Sequence, residues 1–244
     1  MKNRNPEPTP IPPGLRYYDL IGGIFVAVLL ISNISATKLV ELLGFPFDGG
    51  TLLFPLSYIF GDILTEVYGY ARARRIIWLG FFGNLLAVLT FAAVTALPPA
   101  AVWPFQEAFT NILGVVPRIV LASFIAYLAG EFSNSYILAK MKIATRGRFL
   151  WMRTIGSTLV GEGLDTIIFV VIAFGGTIPM RELGLMMIFN YVFKCGTEVV
   201  FTPITYAVVG FLKRREQVDT YDVDTSFNPF LFFKLGSRTE SASQ

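Results

Sequence analysis

Six long apolar segments constrain the fold of this chain more than any other feature. A helix needs about 20 mostly apolar residues to cross a hydrocarbon core of roughly 30 Å, because intrahelical hydrogen bonds must satisfy its backbone there. Runs near that length are 20–43, 51–70, 76–97, 118–139, 154–174 and 184–212, and the connections at 44–46, 97–99 and 175–179 contain the helix breakers Gly or Pro. We therefore predict an all-α integral membrane protein with six transmembrane helices.

The distribution of Lys and Arg predicts the orientation of these helices. Sixteen of the 20 cations fall on the side of the two termini, Arg118 and Arg181 fall on the other side, and Lys38 and Lys194 lie within spans. Positive loops face the cytoplasm, so we expect both termini there and a multi-pass protein in a bacterial-type inner membrane. The expected organisation is a Pro-rich cytoplasmic arm at 1–19, a membrane domain at 20–212 and a cytoplasmic tail at 213–244. Topology explains the net charge of +3, so no nucleic-acid partner is expected.

Composition excludes several classes of enzyme. The chain has no His and one Cys, which rules out a Cys/His zinc site, a histidine proton relay and a Ser-His-Asp triad. No Walker-type phosphate loop occurs, so the chain is not expected to hydrolyse a nucleotide. We expect no catalytic residue, metal site or cofactor, and an intramembrane enzyme is the least favoured function.

Ionisable side chains inside the spans indicate a function other than membrane anchoring. Each costs about 2.5–3.5 kcal/mol at the centre of a membrane helix, so a purely structural bundle avoids them. Helical spacing places these groups on faces: Asp62 and Glu66 lie four residues apart, Glu162 and Asp165 lie three apart, and Asn190, Lys194 and Glu198 repeat every four residues. The full set is Asn33, Lys38, Asp62, Glu66, Arg118, Glu131, Glu162, Asp165, Asn190, Lys194 and Glu198.

The charges in this set do not balance. Six carboxylates oppose only Lys38 and Lys194, which leaves about −4 inside the bundle when all are ionised. Such an excess must be protonated, hydrated, paired with Arg118 or loop arginines, or matched by a ligand, and a water-accessible cavity is the simplest solution. Glu66, Glu131 and Glu162 fit equally well as interfacial partners of nearby arginines. A non-transporting scaffold whose polar residues serve helix packing is the alternative to a ligand site.

Several motifs resemble a known family, the queuosine precursor transporters, which are also described as vitamin uptake transporters. The most specific stretch is 54–70, FPLSYIFGDILTEVYGY, and the resemblance covers nearly the whole chain. The other matching positions are 32–38, Pro117-Arg118, Asp165-Thr166, Lys194, Glu198, Thr202-Pro203 and 221–230. Glu162 departs from the family pattern, in which Gln is expected, so the resemblance implies no role for it.

The resemblance implies a six-helix fold similar to the substrate-binding components of energy-coupling-factor importers. The implied cargo is 7-cyano-7-deazaguanine, 7-aminomethyl-7-deazaguanine or queuine, taken up for tRNA modification; another vitamin-like or purine-like molecule is the alternative. The sequence leaves open whether uptake is driven by a proton gradient, by a separate ATPase module or by diffusion alone. It also leaves the oligomeric state open.

A guanine-like edge and face suit the residue types in the spans. Adjacent N–H groups of such a ligand can be accepted by a carboxylate, and its flat face stacks on aromatic rings. The expected substrate-binding residues are Asn33, Lys38, Asp62, Glu66, Asp165, Asn190, Lys194 and Glu198, with Tyr58, Tyr68, Tyr191 and Phe193 as stacking surfaces and Arg118, Glu131 and Glu162 as secondary polar candidates. Lys38 and Lys194 are expected to hold the carboxylates in place.

Overall fold

A computed structural model describes residues 16–42, 45–113, 116–176, 179–223 and 225–231. Within them the chain forms seven α-helices, one antiparallel hairpin and one short 3-10 helix. The elements are α1 Tyr18–Ser35, β1 Leu39–Leu42, β2 Phe45–Asp48, the 3-10 helix Gly49–Leu52, α2 Pro55–Tyr68, α3 Tyr70–Ala96, α4 Gln106–Leu113, α5 Val116–Ala144, α6 Leu150–Phe174 and α7 Met180–Glu216. Residues 1–15 of the predicted arm and 232–244 of the predicted tail lie outside the described residues.

Each predicted span corresponds to one helix: α1, α2, α3, α5, α6 or α7. Among the described helices, α1, α3, α6 and α7 are long and apolar enough to cross a membrane. The 14 residues of α2 extend only about 21 Å at 1.5 Å per residue, which is shorter than the hydrocarbon core. The helical multi-pass character is therefore confirmed, whereas the number of six spans stays a prediction.

The bundle carries apolar side chains outward and many charged groups inward. Leu86, Ile188 and Val200 are 68%, 60% and 72% exposed, as expected of side chains that face lipid tails. Asp62 and Glu131, in contrast, are fully buried. The interior therefore holds the groups that can form a site.

Helix α2 lies inside the bundle, in contact with α1, α3, α5 and α7. Of its 14 residues, only Leu56 and Phe60 are not buried. It begins at Pro55, where the missing N–H of proline would have no partner in the helix anyway. Its polar residues are therefore held between the other helices.

A single residue joins α2 to α3. Gly69 takes φ +84°, a left-handed conformation that costs glycine little, and α3 begins at the next residue. The interval 71–75 between the predicted spans 51–70 and 76–97 is therefore not a loop, since Arg72, Arg74 and Arg75 lie in the first turns of α3. Arg74 is 1% exposed and donates hydrogen bonds to tail carbonyls.

The first predicted span is too long, because α1 ends at Ser35 and not at Leu43. A hairpin follows, in which Leu39 pairs with Asp48 and Leu42 with Phe45. The apolar run fits a strand as well as a helix, and Pro46 cannot donate a helical hydrogen bond. The all-α prediction is therefore corrected by one two-stranded element.

The elements meet at two opposite ends of the bundle. At the hairpin end lie the hairpin, the 3-10 helix, the last turn of α1 and the first turn of α2, with the start of α5 against the end of α6. At the tail end, the start of α1 and the α2–α3 junction meet the loop between α5 and α6 and the end of α7, and residues 217–223 and 225–231 pack there.

Helices α5 and α6 cross closely at Gly130 and Gly161. A Cβ on either glycine would come 2.9 Å from the backbone oxygen of the other. The same crossing brings Tyr58 of α2 against both glycines. Small residues at this crossing therefore bring Glu131, Glu162 and Asp165 together in the interior.

Candidate functional site

A polar cavity lies at the hairpin end of the bundle. It has about 30 Å³ of room for water, more than the roughly 10–15 Å³ that one water requires. The lining comes from α1, α5, α6 and α7, from the hairpin and the 3-10 helix, and from Phe54 just before α2. Its residues are Ser32, Asn33, Ala36, Asp48, Gly50, Thr51, Phe54, Ser123, Asp165, Thr166, Phe169, Asn190 and Lys194. Four predicted site residues, Asn33, Asp165, Asn190 and Lys194, meet in this lining.

Lys194 forms the charged centre of the cavity. Its Nζ donates a hydrogen bond of 2.6 Å to Oδ2 of Asp165 and lies 3.0 Å from Oε2 of Glu162. Nζ also lies 4.5 Å from the centre of the Phe54 ring, within range of a cation–π contact. The predicted role of Lys194 in holding carboxylates therefore has the geometry that it requires.

Two asparagines bring amide groups to the same cavity. Asn190 is 2% exposed, and its Oδ1 has no hydrogen-bond partner within the described residues. Asn33 is occupied: its Nδ2 donates to Oδ1 of Asn84 at 2.6 Å, and its Oδ1 accepts from Oγ of Ser123 at 2.7 Å. Asn190 is therefore the freer of the two to meet a ligand.

The hairpin and the 3-10 helix contribute cavity residues that were not predicted from the sequence. Asp48 is 8% exposed and caps the 3-10 helix, accepting from the backbone N and the Oγ1 of Thr51 at 3.0 and 2.7 Å. The Asp-Gly-Gly-Thr sequence at 48–51 is a capping pattern, and this signal could have revealed it. Phe54 adds an aromatic face that was also missed.

Three buried carboxylates lie deeper than the cavity, and we call Asp62, Glu131 and Glu198 the carboxylate layer. Their residues are 0%, 0% and 2% exposed. Oδ1 of Asp62 accepts 2.6 Å from Nδ2 of Asn134. Its Oδ2, and both oxygens of Glu131 and of Glu198, have no hydrogen-bond partner within the described chain. The predicted site residues Asp62 and Glu198 therefore lie below the cavity, not in its lining.

The remaining carboxylate of α2 belongs to an ion cluster at the tail end. Glu66 binds Arg153 through two hydrogen bonds, of 2.7 and 3.2 Å, and its Oε1 lies 2.6 Å from Nζ of Lys213. Lys142 lies 3.6 Å from the same oxygen, and both lysines pair with Asp219, at 2.5 and 2.9 Å. These five residues form the tail-end ion cluster. Glu66 is thus fully paired and far along α2 from the cavity.

Two predicted cations lie elsewhere. Lys38 is exposed in the turn between α1 and the hairpin, so the prediction that it pairs with buried carboxylates is wrong. The cause is the early end of α1, which carries Lys38 out of the span. Arg118 donates to the carbonyl oxygens of Ile172 and Gly175 at 2.8 and 2.6 Å, so it stabilises the end of α6.

The predicted stacking residues are dispersed. Tyr58 is buried between Phe54 and the α5–α6 crossing. Tyr68 packs against Tyr18 at the tail end, with ring centres 5.2 Å apart. Tyr191 donates to the carbonyl oxygen of Leu159 at 3.1 Å, and Phe193 is half-buried on α7. None of these four is in the cavity lining, whereas Phe54 and Phe169 are.

Two aspartates beyond the last helix have shifted pKa values. Burial raises the pKa of Asp219, but the ammonium groups of Lys142 and Lys213 outweigh burial and hold that pKa below its ordinary value. Burial raises the pKa of Asp222 above its ordinary value, although the backbone N–H of Tyr70 donates to its carboxylate. The surroundings of Asp219 therefore favour its charged form, whereas those of Asp222 disfavour it.

The chain is similar in sequence to a known protein family. The sequence profile of the family described as "Putative vitamin uptake transporter" matches residues 48–208, which include the 3-10 helix, α2 and the cavity residues of α6 and α7. No solved structure matches the chain.

Three relatives match over most of their length. The "Probable queuosine precursor transporter" of Bacillus subtilis (strain 168) is 30% identical over 209 residues, which cover 83% of this chain and 91% of the relative. The "Queuosine precursor transporter" of Escherichia coli (strain K12) is 29% identical over 81% of this chain and 88% of its own length. The "Probable queuosine precursor transporter" of Haemophilus influenzae is 26% identical over 69% of this chain and 71% of its own length. These proteins are named as transporters, which agrees with the expectation of a non-enzyme.

Proposed function

The chain belongs to the "Putative vitamin uptake transporter" family, and from this premise we propose that it imports a queuosine precursor through the hairpin-end cavity. The observation that carries the proposal is the convergence of Asp165, Asn190 and Lys194 beside an aromatic ring in that cavity. The proposed cargo is 7-cyano-7-deazaguanine, with 7-aminomethyl-7-deazaguanine and queuine as related candidates, for use in tRNA modification.

The chemistry of the cavity suits a deazaguanine. Its adjacent N–H groups match an acceptor such as the Asp165 carboxylate, and its carbonyl oxygen matches the ammonium of Lys194. Oδ1 of Asn190 supplies a further acceptor without breaking a bond. The ring of Phe54 offers a face for stacking. A ligand bound here replaces water with directed hydrogen bonds.

In the proposed orientation, the hairpin end and its cavity face the outside of the cell. The tail end, where α1 begins and α7 ends, carries the cations of the tail-end ion cluster and of the first turns of α3. The positive-inside rule assigns that end to the cytoplasm. Six spans, cytoplasmic termini and the inner membrane are part of this proposal. So is a likeness to the substrate-binding components of energy-coupling-factor importers.

Binding to the purified protein tests the site. We expect 7-cyano-7-deazaguanine at 100 times its Kd to stabilise the folded protein by about 2.7 kcal/mol, seen as a rise in Tm in detergent micelles. Asp165→Asn and Asn190→Ala should weaken this rise, whereas Glu182→Gln, at an exposed position at the start of α7, should keep it. Guanine serves as the control ligand.

A wild-type protein whose Tm does not respond to any of the three deazapurines would contradict the proposed cargo. Equal responses in the wild type and in both cavity variants would contradict the proposed site. The first result would favour another purine-like cargo or the scaffold interpretation.

A further inference from the structure

The carboxylate layer lies between the cavity and the tail-end ion cluster on each helix that contributes to it. Asp62 of α2 lies between Phe54 of the cavity, which directly precedes that helix, and Glu66 of the cluster. On α5, Glu131 lies between Ser123 and Lys142, and on α7, Glu198 follows Lys194 by about one turn. The layer therefore separates the cavity from the opposite end of the protein.

The buried cations of the described residues are engaged elsewhere. Lys194 pairs with Asp165 and Glu162, while Lys142, Arg153 and Lys213 pair with the carboxylates of the tail-end ion cluster. Arg74 donates to the carbonyl oxygens of Ser226 and Asn228 in the tail. The carboxylate layer therefore has no cationic partner within the described chain.

Hydrogen bonds do not compensate for this lack. Of the six carboxylate oxygens of the layer, only Oδ1 of Asp62 has a partner, the Nδ2 of Asn134. Asn134 is itself fully buried, and its own Oδ1 has no donor within the described residues. The carboxylate of Glu131 lies directly against the backbone of α2 at Gly61, the residue before Asp62, where a Cβ would overlap it. Five of the six carboxylate oxygens in the layer thus have no O–H or N–H donor within the described residues.

Protonation of these carboxylates supplies the missing hydrogen-bond donors and removes the uncompensated negative charge. An isolated buried carboxylate costs several kcal/mol or more, whereas a protonated carboxyl group is neutral and donates a hydrogen bond. Among the described residues, no three carboxylates converge as metal ligands would. We propose that the carboxylate layer binds protons and that these protons move inward together with the imported substrate. This inference rests on the proposed function and names its energy source.

Titratable groups on α2, α5 and α6 interact electrostatically with the layer. They are Tyr58 and Glu66 on α2, Tyr127 on α5, and Glu162 and Asp165 on α6; Lys194 of α7 pairs with the last two. Glu162 connects the layer with the cavity, because it lies 3.0 Å from Lys194 and interacts electrostatically with Glu131 and Glu198. A ligand that changes the pairing of Lys194 therefore changes the cost of ionising the layer.

Transport by the purified chain in liposomes tests the coupling. The interior is set one pH unit more alkaline than the exterior, the membrane potential is clamped at zero, and labelled 7-cyano-7-deazaguanine is added outside. If one proton accompanies each substrate, the label should accumulate inside up to about tenfold above its outside concentration. Accumulation should vanish when the pH gradient is collapsed.

Two variants locate the proton site. Glu131→Gln and Glu198→Gln mimic the neutral carboxyl group, and we expect each to lower the number of protons carried per substrate, measured with a pH-sensitive dye inside the liposomes. The matched control Glu182→Gln should keep the wild-type ratio. Because protons are counted per substrate moved, a loss of folded protein reduces both fluxes and leaves the ratio interpretable.

The outcomes separate the inference from the function on which it rests. Label that equilibrates to equal concentrations inside and outside, regardless of the pH gradient, would overturn proton coupling and leave the transport function intact. A wild-type proton ratio in both Gln variants would overturn the carboxylate layer as the proton site. A wild-type chain that neither binds nor moves the label would overturn the proposed function, and the inference with it.

Discussion

Replacing Arg153 with Gln should destabilise the protein by about 3 kcal/mol. Arg153 donates hydrogen bonds of 2.7 and 3.2 Å to the carboxylate of Glu66 and one of 3.2 Å to the carbonyl oxygen of Gly147. Both charged side chains are at most 1% exposed. Removing one partner of a buried ion pair costs about 3–5 kcal/mol when the remaining charge is left unpaired. Because Lys213 remains 2.6 Å from Glu66, we expect a value near the lower limit.

The change is measurable as a shift in Tm. For a chain of this length, 1 kcal/mol corresponds to roughly 2–4 °C, so Tm should fall by roughly 6–12 °C. The assay is thermal unfolding of the purified protein in detergent micelles, followed by tryptophan fluorescence. The control is Arg181→Gln, at an exposed position at the start of α7, which should change stability by about 0.5 kcal/mol or less.

A double-variant cycle tests the physical cause. If the loss arises from the uncompensated charge of Glu66, then Glu66→Gln should remove part of the cost of Arg153→Gln, with a coupling of about 0.5–3 kcal/mol. A Tm for Arg153→Gln that equals that of the Arg181→Gln control would refute the reasoning. Strict additivity of the two substitutions would show that the pair is not the source of stability.

Three further predictions concern packing, pH and the tail. Gly161→Ala should destabilise by about 1–3 kcal/mol because its Cβ meets the backbone of α5, whereas Gly196→Ala, with open space around it, should be neutral or slightly stabilising; Tm distinguishes them. Asp219→Asn should cost about 1 kcal/mol or less at neutral pH, since the residue is 44% exposed. As the folded pKa of Asp219 is lowered, its contribution is present above the unfolded pKa and lost as pH falls through the folded pKa, so unfolding curves of variant and wild type should converge in acid. Arg74→Ala should release the tail that it binds, seen as faster proteolysis after residue 217, whereas Arg72→Ala should not.

Helical spacing revealed the faces that form the site but not which faces meet. The three-residue spacing of Glu162 and Asp165 and the four-residue spacing of Lys194 and Glu198 correctly placed each pair on one side of its helix. The pairing of Lys194 with Asp165 joins α6 and α7, and a single sequence carries no signal for such a contact. The proposed cargo came from the resemblance to a known family, because helical spacing and charge alone do not identify a substrate.

Errors arose where one pattern fits two structures. The apolar run after Ser35 suits a strand as well as a helix, so Lys38 was placed in a span that ends before it. Lys142 and Arg153 lie in the interval between the predicted spans 118–139 and 154–174, where exposed loop cations are expected, yet both are at most 2% exposed and pair with Glu66. The cost of burying them is met by partners from other helices, which spacing along one chain cannot reveal.

Restoration of tRNA queuosine is the most direct test of precursor import through the hairpin-end cavity. Cells unable to make the precursor would express this chain and receive 7-cyano-7-deazaguanine at low concentration, with Asp165→Asn and Glu182→Gln compared at equal membrane expression. The account predicts queuosine in tRNA with the wild type and with Glu182→Gln, and a marked loss with Asp165→Asn. Absence of queuosine with well-expressed wild-type protein, or equal restoration by all three forms, would contradict it.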